Sequence, residues 1–179
     1  MTPTTYDRGA QLFHWVSALL ILGMAIGGTV MVRLPAGSTM KATLYQGHVA
    51  VGLLVLVFTI GRIIWLFVGQ RPSPPPMPQW EKLAFIWNHR LLYLVIVSLL
   101  VSGVGVLLLS EIGLSPAAVS PEAILDVPPR AGHSLFGKVF MALFVMHLGG
   151  VGFYQLKRGD TLSRMGITWF SGKGVITDT

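Results

Sequence analysis

Five histidines stand out in this chain: His14, His48, His89, His133 and His147. Two of them share one apolar segment, which opens Gly132-His133-Ser134-Leu135-Phe136-Gly137-Lys138 and ends Val145-Met146-His147. Their fourteen-residue separation is, in an α-helix, a rise of about 21 Å and falls about 40° short of whole turns. Both imidazoles therefore face the same way, one near each side of a hydrocarbon core about 30 Å thick. Imidazole nitrogens ligate metals, carry protons and hydrogen-bond. A lone histidine on an apolar helix reads as a core residue or a helix-packing hydrogen bonder. Two on one face, at opposite depths, call for partners elsewhere in the chain.

The setting for such partners is a membrane. The chain has 179 residues, 53% hydrophobic and 11% charged, with a mean hydropathy of +0.68. That is too apolar for an ordinary soluble domain. There are no cysteines, which excludes disulfides, thiolate iron–sulfur ligation and a C-x-x-C-H haem attachment. Any haem must be held non-covalently. The net charge of +6 is a topology signal rather than a nucleic-acid footprint, because no basic run interleaves with aromatics.

Four apolar runs can carry the histidines, at about 10–32, 44–68, 91–110 and 133–156. The first is too long for a signal-peptide core and lacks a small-residue cleavage site, so it reads as a retained span. Residues 69–82 are rich in proline and read as extended loop. A second loop carries Pro116, Pro121, Pro128 and Pro129, with one helical turn expected at Ser120-Pro121-Glu122. The tail from Lys157 is polar and is expected to lie on the membrane surface or fray. No internal repeat and no second-domain boundary is visible, so 1–179 reads as one all-α, four-helix membrane domain.

Four spans bring both termini to one side. Arg8, Arg62, Arg71, Lys82, Arg90, Lys157, Arg158, Arg164 and Lys173 then lie there, against Arg33, Lys41, Arg130 and Lys138 opposite. The excess makes the terminal side cytoplasmic. Trp15, Trp65, Trp80, Trp87 and Trp169 fall near the same inner interface, as an aromatic belt does.

This topology gives each histidine a depth. His14 and His147 are expected near the inner side, His48 and His133 near the outer side. A b-type haem needs two imidazoles on opposite faces of its iron, and facing helices of a bundle can supply them. The bland alternatives are interhelical hydrogen bonds or another metal. Zinc fits less well, since neither level offers a third ligand such as a carboxylate or thiolate. Gly23, Gly27, Gly28, Gly47, Gly52, Gly137, Gly149, Gly150 and Gly152 leave room beside the helices, either for a flat macrocycle or for close helix packing. Arg62 follows His48 by fourteen residues and is expected beside the inner level, where it could pair with propionates or snorkel to the interface. His89, the unpaired fifth, is not expected to ligate iron. It could hydrogen-bond a propionate or a quinone carbonyl, or serve no special task.

These residues resemble a known family, the bacterial cytochrome b561 proteins, which are four-helix dihaem b proteins of the inner membrane. The likeness runs along nearly the full length. It rests on Phe13-His14-Trp15, Gly47-His48 with Arg62, His89-Arg-Leu-Leu-Tyr93, His133 with His147, and the tail Asp160-Thr161-Leu162-Ser163-Arg164-Met165. The family's third span often carries a proline before its Ser-Gly, where this chain has Leu100-Val101-Ser102-Gly103. The resemblance implies two haem b groups, with His14, His48, His133 and His147 as the axial ligands of their irons. It also implies electron exchange with the quinone pool, ubiquinone being the expected acceptor, and superoxide as one periplasmic donor that some members oxidise.

Three functions follow as expectations. In the first, an outer haem takes an electron from a periplasmic donor and an inner haem passes it toward quinone; with superoxide as donor the protein is a superoxide:quinone oxidoreductase. Arg33, Lys41, Arg130 and Lys138 would then steer the anion, against Glu111, Glu122 and Asp126 on the same side. In the second, the bundle anchors and relays electrons for a partner dehydrogenase or cytochrome that docks on the loop from Glu111 to Gly132. In the third, the histidines relay protons in a transporter, which inverted repeats or broken helices would support. Membrane lipid is a partner in all three, nucleic acid in none.

Overall fold

The structure, a computed structural model, describes residues 4–73, 77–158 and 161–169. Residues 74–76 of the proline-rich linker, Asp160 of the tail motif and everything beyond Trp169, including Lys173, lie outside them. Four long helices dominate: α1 (Arg8–Met31), α2 (Thr39–Val68), α3 (Gln79–Leu109) and α4 (Pro129–Arg158). A single turn, α5 (Thr161–Arg164), follows. All four long helices are long and apolar enough to cross a membrane. Their outer faces expose Leu19, Val57, Leu94 and Met146, a surface suited to lipid.

Local signals start each helix. The Asp7 carboxylate accepts from the Ala10 N–H at 2.9 Å, and the Ser38 hydroxyl accepts from the Lys41 N–H at 3.3 Å. Both are N-caps that satisfy otherwise orphaned amides. Gly37, at φ 73°, makes the tight turn before Ser38. α4 opens on Pro129, whose fixed φ suits a first helical position.

The third helix starts twelve residues earlier than expected, at Gln79 instead of 91. The last four residues of the expected extended linker, Gln79 to Lys82, are therefore helical. Pro78, at ψ 152°, caps the helix. Hydropathy marks the hydrocarbon-embedded stretch, whereas helical hydrogen bonding continues through interfacial residues such as Trp80, Glu81 and Lys82. A 31-residue helix is about 46 Å long, well beyond the hydrocarbon core. α3 runs unbroken through Leu100-Val101-Ser102-Gly103. The expected turn near Ser120 is present as a 3-10 turn at Glu122–Ile124, with the Ser120 hydroxyl accepting from Ala123 N–H; a second turn spans Pro116–Ala118.

α1 packs along α2 and α3 along α4, while α2 and α3 touch sparsely. The bundle is thus two hairpins with a cleft between them. At the end away from the termini, the α3–α4 loop tucks Val119 and Ile124 against Tyr45, Val106 and Leu107. At the opposite end, the segment after α4 is tied to the start of the chain. The Tyr6 N–H donates to the Arg164 carbonyl at 3.0 Å, and the Trp15 indole N–H donates to the Met165 carbonyl at 2.9 Å. Arg164 also donates to the Ser73 carbonyl. Residues 161–165 of the tail therefore pack on the end of the bundle, while Trp169 is exposed.

Candidate functional site

The cleft brings the histidines together at two levels. At the loop end, His48 of α2 faces His133 of α4, with ring centres 6.2 Å apart. At the end of the bundle near the termini, His14 of α1 faces His147 of α4 at 6.5 Å. A metal stands about 2 Å from an imidazole nitrogen, which lies about 1 Å from its ring centre, so two rings sharing one metal are centred about 6 Å apart. Both pairs have that separation.

The loop-end pair sits in a cavity of about 910 Å³, lined by all four long helices. This is within the range that encloses a large organic ligand, about 300 to 1,000 Å³. Its wall is mainly apolar, as a porphyrin face requires. His133 is oriented by the helix opposite. Its Nδ1–H lies 3.0 Å from the Leu99 carbonyl and 3.1 Å from the Ser102 hydroxyl, which itself donates to Leu99 at 3.0 Å. A carbonyl only accepts, so Nδ1 carries the proton and Nε2 keeps its lone pair, the arrangement a ligating histidine needs. His48 is held by packing instead: its buried Nδ1 has no protein partner. Glycines back both rings. A Cβ on Gly28 would stand 3.4 Å from His48 Cε1, and one on Gly103 would stand 3.3 Å from His133 Cε1.

The other level is more crowded. His89 of α3 also reaches it, with its ring centre 5.0 Å from that of His147. Its Nδ1–H donates to the Phe85 carbonyl at 2.7 Å, which leaves Nε2 as an acceptor. Arg62 joins this level, as its spacing from His48 suggested. A guanidinium N–H donates to His14 Nδ1 at 3.0 Å, and its carbon lies 5.1 Å above the Tyr93 ring. Arg62 has no acceptor of its own, so His14 Nδ1 must accept here. Among the described residues, no group of three or more His, Cys, Asp or Glu side chains forms a metal site.

The glycines divide into two kinds. Gly28 and Gly52 meet side chains of the neighbouring helix. Gly23, Gly27, Gly47, Gly137, Gly149, Gly150 and Gly152 face open space, so they do not serve close packing within this chain. Gly137 is the one of these seven that lines the cavity, one turn from His133.

Sequence reasoning missed the roles of Ser102, Gly103 and the Leu99 carbonyl. A serine beside a glycine in an apolar span was the available signal, but its partner lies 31 positions away. It also missed the staple at Asp7. One carboxylate oxygen accepts from Ala10 N–H and, at 2.8 Å, from the Trp65 indole; the other accepts from Gln70 N–H at 2.8 Å. These bonds, the Ala10 amide foremost, hold the Asp7 carboxyl below its ordinary range.

Comparison with known proteins agrees with this geometry. The family described as prokaryotic cytochrome b561 matches residues 5–166. Cytochrome b561 homolog 2 of Escherichia coli (strain K12) is 29% identical over 182 aligned positions, covering 92% of each chain. Cytochrome b561 homolog 1 of the same organism is 24% identical over 169, covering 89% of this chain and 96% of its own. No solved structure matches significantly. The match takes in all four long helices and all five histidines, so the chain belongs to the prokaryotic cytochrome b561 family, multi-pass proteins of the bacterial inner membrane whose work is transmembrane electron transfer by haem b.

Proposed function

We propose that the chain holds two haem b groups and passes single electrons across the membrane, from a donor at the loop end to a quinone at the end near the termini. The observation that carries this reading is the pair of imidazole couples, 6.2 and 6.5 Å apart, at two levels of one cleft. Haem b supplies a one-electron ferric/ferrous couple when bound. His48 and His133 hold one group, and His14 and His147 the other. Both imidazoles of each pair would be engaged in holding the group, so a small donor would meet it from the open side of the cleft. The Leu99 carbonyl keeps the proton of His133 on Nδ1 and its Nε2 toward the cavity. His14 needs the same tautomer to ligate through Nε2, so Arg62 must release Nδ1 on loading, which frees its guanidinium for a propionate.

The excess of basic residues at the end near the termini makes that end cytoplasmic in our reading and the loop end periplasmic. His89 presents an acceptor nitrogen and suits the hydroxyl of a quinol better than the carbonyl of a quinone. Superoxide is the small-donor candidate. Unbroken helices do not favour the transporter alternative, which relies on discontinuous ones.

The experiment is stopped-flow spectroscopy of the purified protein with superoxide as donor and ubiquinone as acceptor. The reading expects haem reduction without any added protein, followed by reoxidation on adding quinone. Haems that stay oxidised under superoxide but are reduced by a co-purifying protein would make the chain a relay subunit, with the stretch from Glu111 to Gly132, whose last four residues open α4, as the docking surface.

A further inference from the structure

The apolar cavity at the loop end has an unusual stretch of wall. Beside His48 and His133 it is lined by Arg33, Arg130 and Lys138, with one carboxylate, Asp126. These come from three separate places: just past the end of α1, the first turn of α4, and α4 two turns further on. Three cations and one anion leave a net charge of +2. Arg33 and Lys138 are exposed and Arg130 is half-buried, so the three cations stand at the mouth of the apolar cavity, within reach of its interior and of water.

The protein itself satisfies them only in part. Arg33 donates one N–H to the Thr29 carbonyl at 3.0 Å, and Arg130 donates one to the Leu125 carbonyl at 3.1 Å. Each guanidinium has further donors to offer. Lys138 has no hydrogen-bond or ion-pair partner among the described residues. The fourth cation at this end, Lys41, behaves differently: its ammonium donates to the Leu34 carbonyl at 3.0 Å, and it is not on the cavity wall.

We propose that Arg33, Arg130 and Lys138, with Asp126 beside them, form an anion cradle that receives the two propionates of the haem held by His48 and His133. The cradle rests on the reading of that pair as a haem site. Its net +2 matches two carboxylates. Long, flexible stems let Lys138 and the arginines reach toward the aqueous end of the cleft while their methylenes stay in the apolar wall. One consequence concerns the donor. Charges neutralised by propionates no longer steer an anion, so of the four cations expected to guide superoxide only Lys41 stays uncommitted.

The test uses full-length protein purified from haem-limited cells in the His14→Ala background, which isolates the loop-end site. It is titrated with haem and with haem dimethyl ester, whose propionates carry no charge. The parent protein should prefer free-acid haem. Arg33→Gln, Arg130→Gln and Lys138→Gln should each cut that preference by about tenfold, as loss of a charge-assisted bond does, and Lys41→Gln should not. In otherwise wild-type protein the same three variants should lower the midpoint potential of the loop-end haem, because loss of a cation disfavours the more negative ferrous state. Each tenfold change in the reduction equilibrium is about 59 mV. Equal preference and unchanged potential in all three variants, with haem still bound, would overturn the cradle and leave the haem reading standing. Failure of the parent to bind either form through His48 and His133 would overturn both. Where a glutamine variant does not fold, Lys138→Arg and Arg130→Lys decide: retained preference for the free acid supports the cradle, and its loss refutes it.

Discussion

Gly137→Ala should change sign between the haem-free and the haem-loaded protein. Gly137 lies on α4 one turn from His133, lines the cavity, and has no protein atom within 4 Å of where a Cβ would stand. In the haem-free protein the substitution only replaces a poor helix former with the best one, a gain of about 0.8 to 1.0 kcal/mol. With a macrocycle in the cavity, the new methyl group meets it. Overpacking a filled site costs about 1 to 3 kcal/mol. The helix gain is common to both forms and cancels, so the overpacking cost appears as haem affinity weakened by about 5- to 150-fold. The assay is thermal denaturation of haem-depleted and haem-loaded protein in detergent, with a haem titration of each. Gly23→Ala is the control, since Gly23 also faces open space but lies off the cavity wall. It should stabilise both forms alike. If Gly137→Ala stabilises the loaded protein as much as the depleted one and leaves affinity unchanged, the space beside His133 does not belong to the haem.

Arg62→Met should leave both haems bound but lower the midpoint potential of the haem near the termini, about 59 mV for each tenfold change, as read by redox titration; an unchanged potential would remove Arg62 from that site. His89→Ala should retain both haems in the absorption spectrum, and loss of either would make His89 a ligand. Asp7→Asn should flatten the acid dependence of stability. The folded-state pKa of Asp7 is depressed, so its stabilisation is present above the unfolded value near 3.8 and is lost as pH falls through the lower folded value. Denaturation midpoints measured from about pH 2 to 6 should therefore fall less steeply in the variant, and equal slopes would show that the staple does not couple to protonation.

The parts of this molecule that were legible in the sequence are those a membrane constrains. A helix crossing a slab of fixed thickness converts residue number into depth, so His48 with His133 and His14 with His147 could be paired before any contact was known. The placement of Arg62 followed from the same arithmetic. The first three turns of α3 were hidden because Trp80, Glu81 and Lys82 dilute hydropathy without breaking the helix, and because three prolines just before Met77 suggested a longer extended stretch. The tail gave no sign that Met165 would accept from Trp15. Nor could the sequence show that Asp7 would bind Trp65 and Gln70. Such bonds join single polar residues far apart in the chain and leave no periodic trace. Ser102 and Gly103 were visible only as a small pair in an apolar span, whereas their role comes from the ring of His133 lying against them.

Haem stoichiometry, resolved by site, is the most direct measurement. Purified wild-type protein should contain two b haems per chain by absorption and pyridine haemochrome assay. His48→Ala and His133→Ala should each remove one and the same spectral component, while His14→Ala and His147→Ala remove the other. One haem per chain, or equal loss of both components from every variant, would contradict the two paired sites.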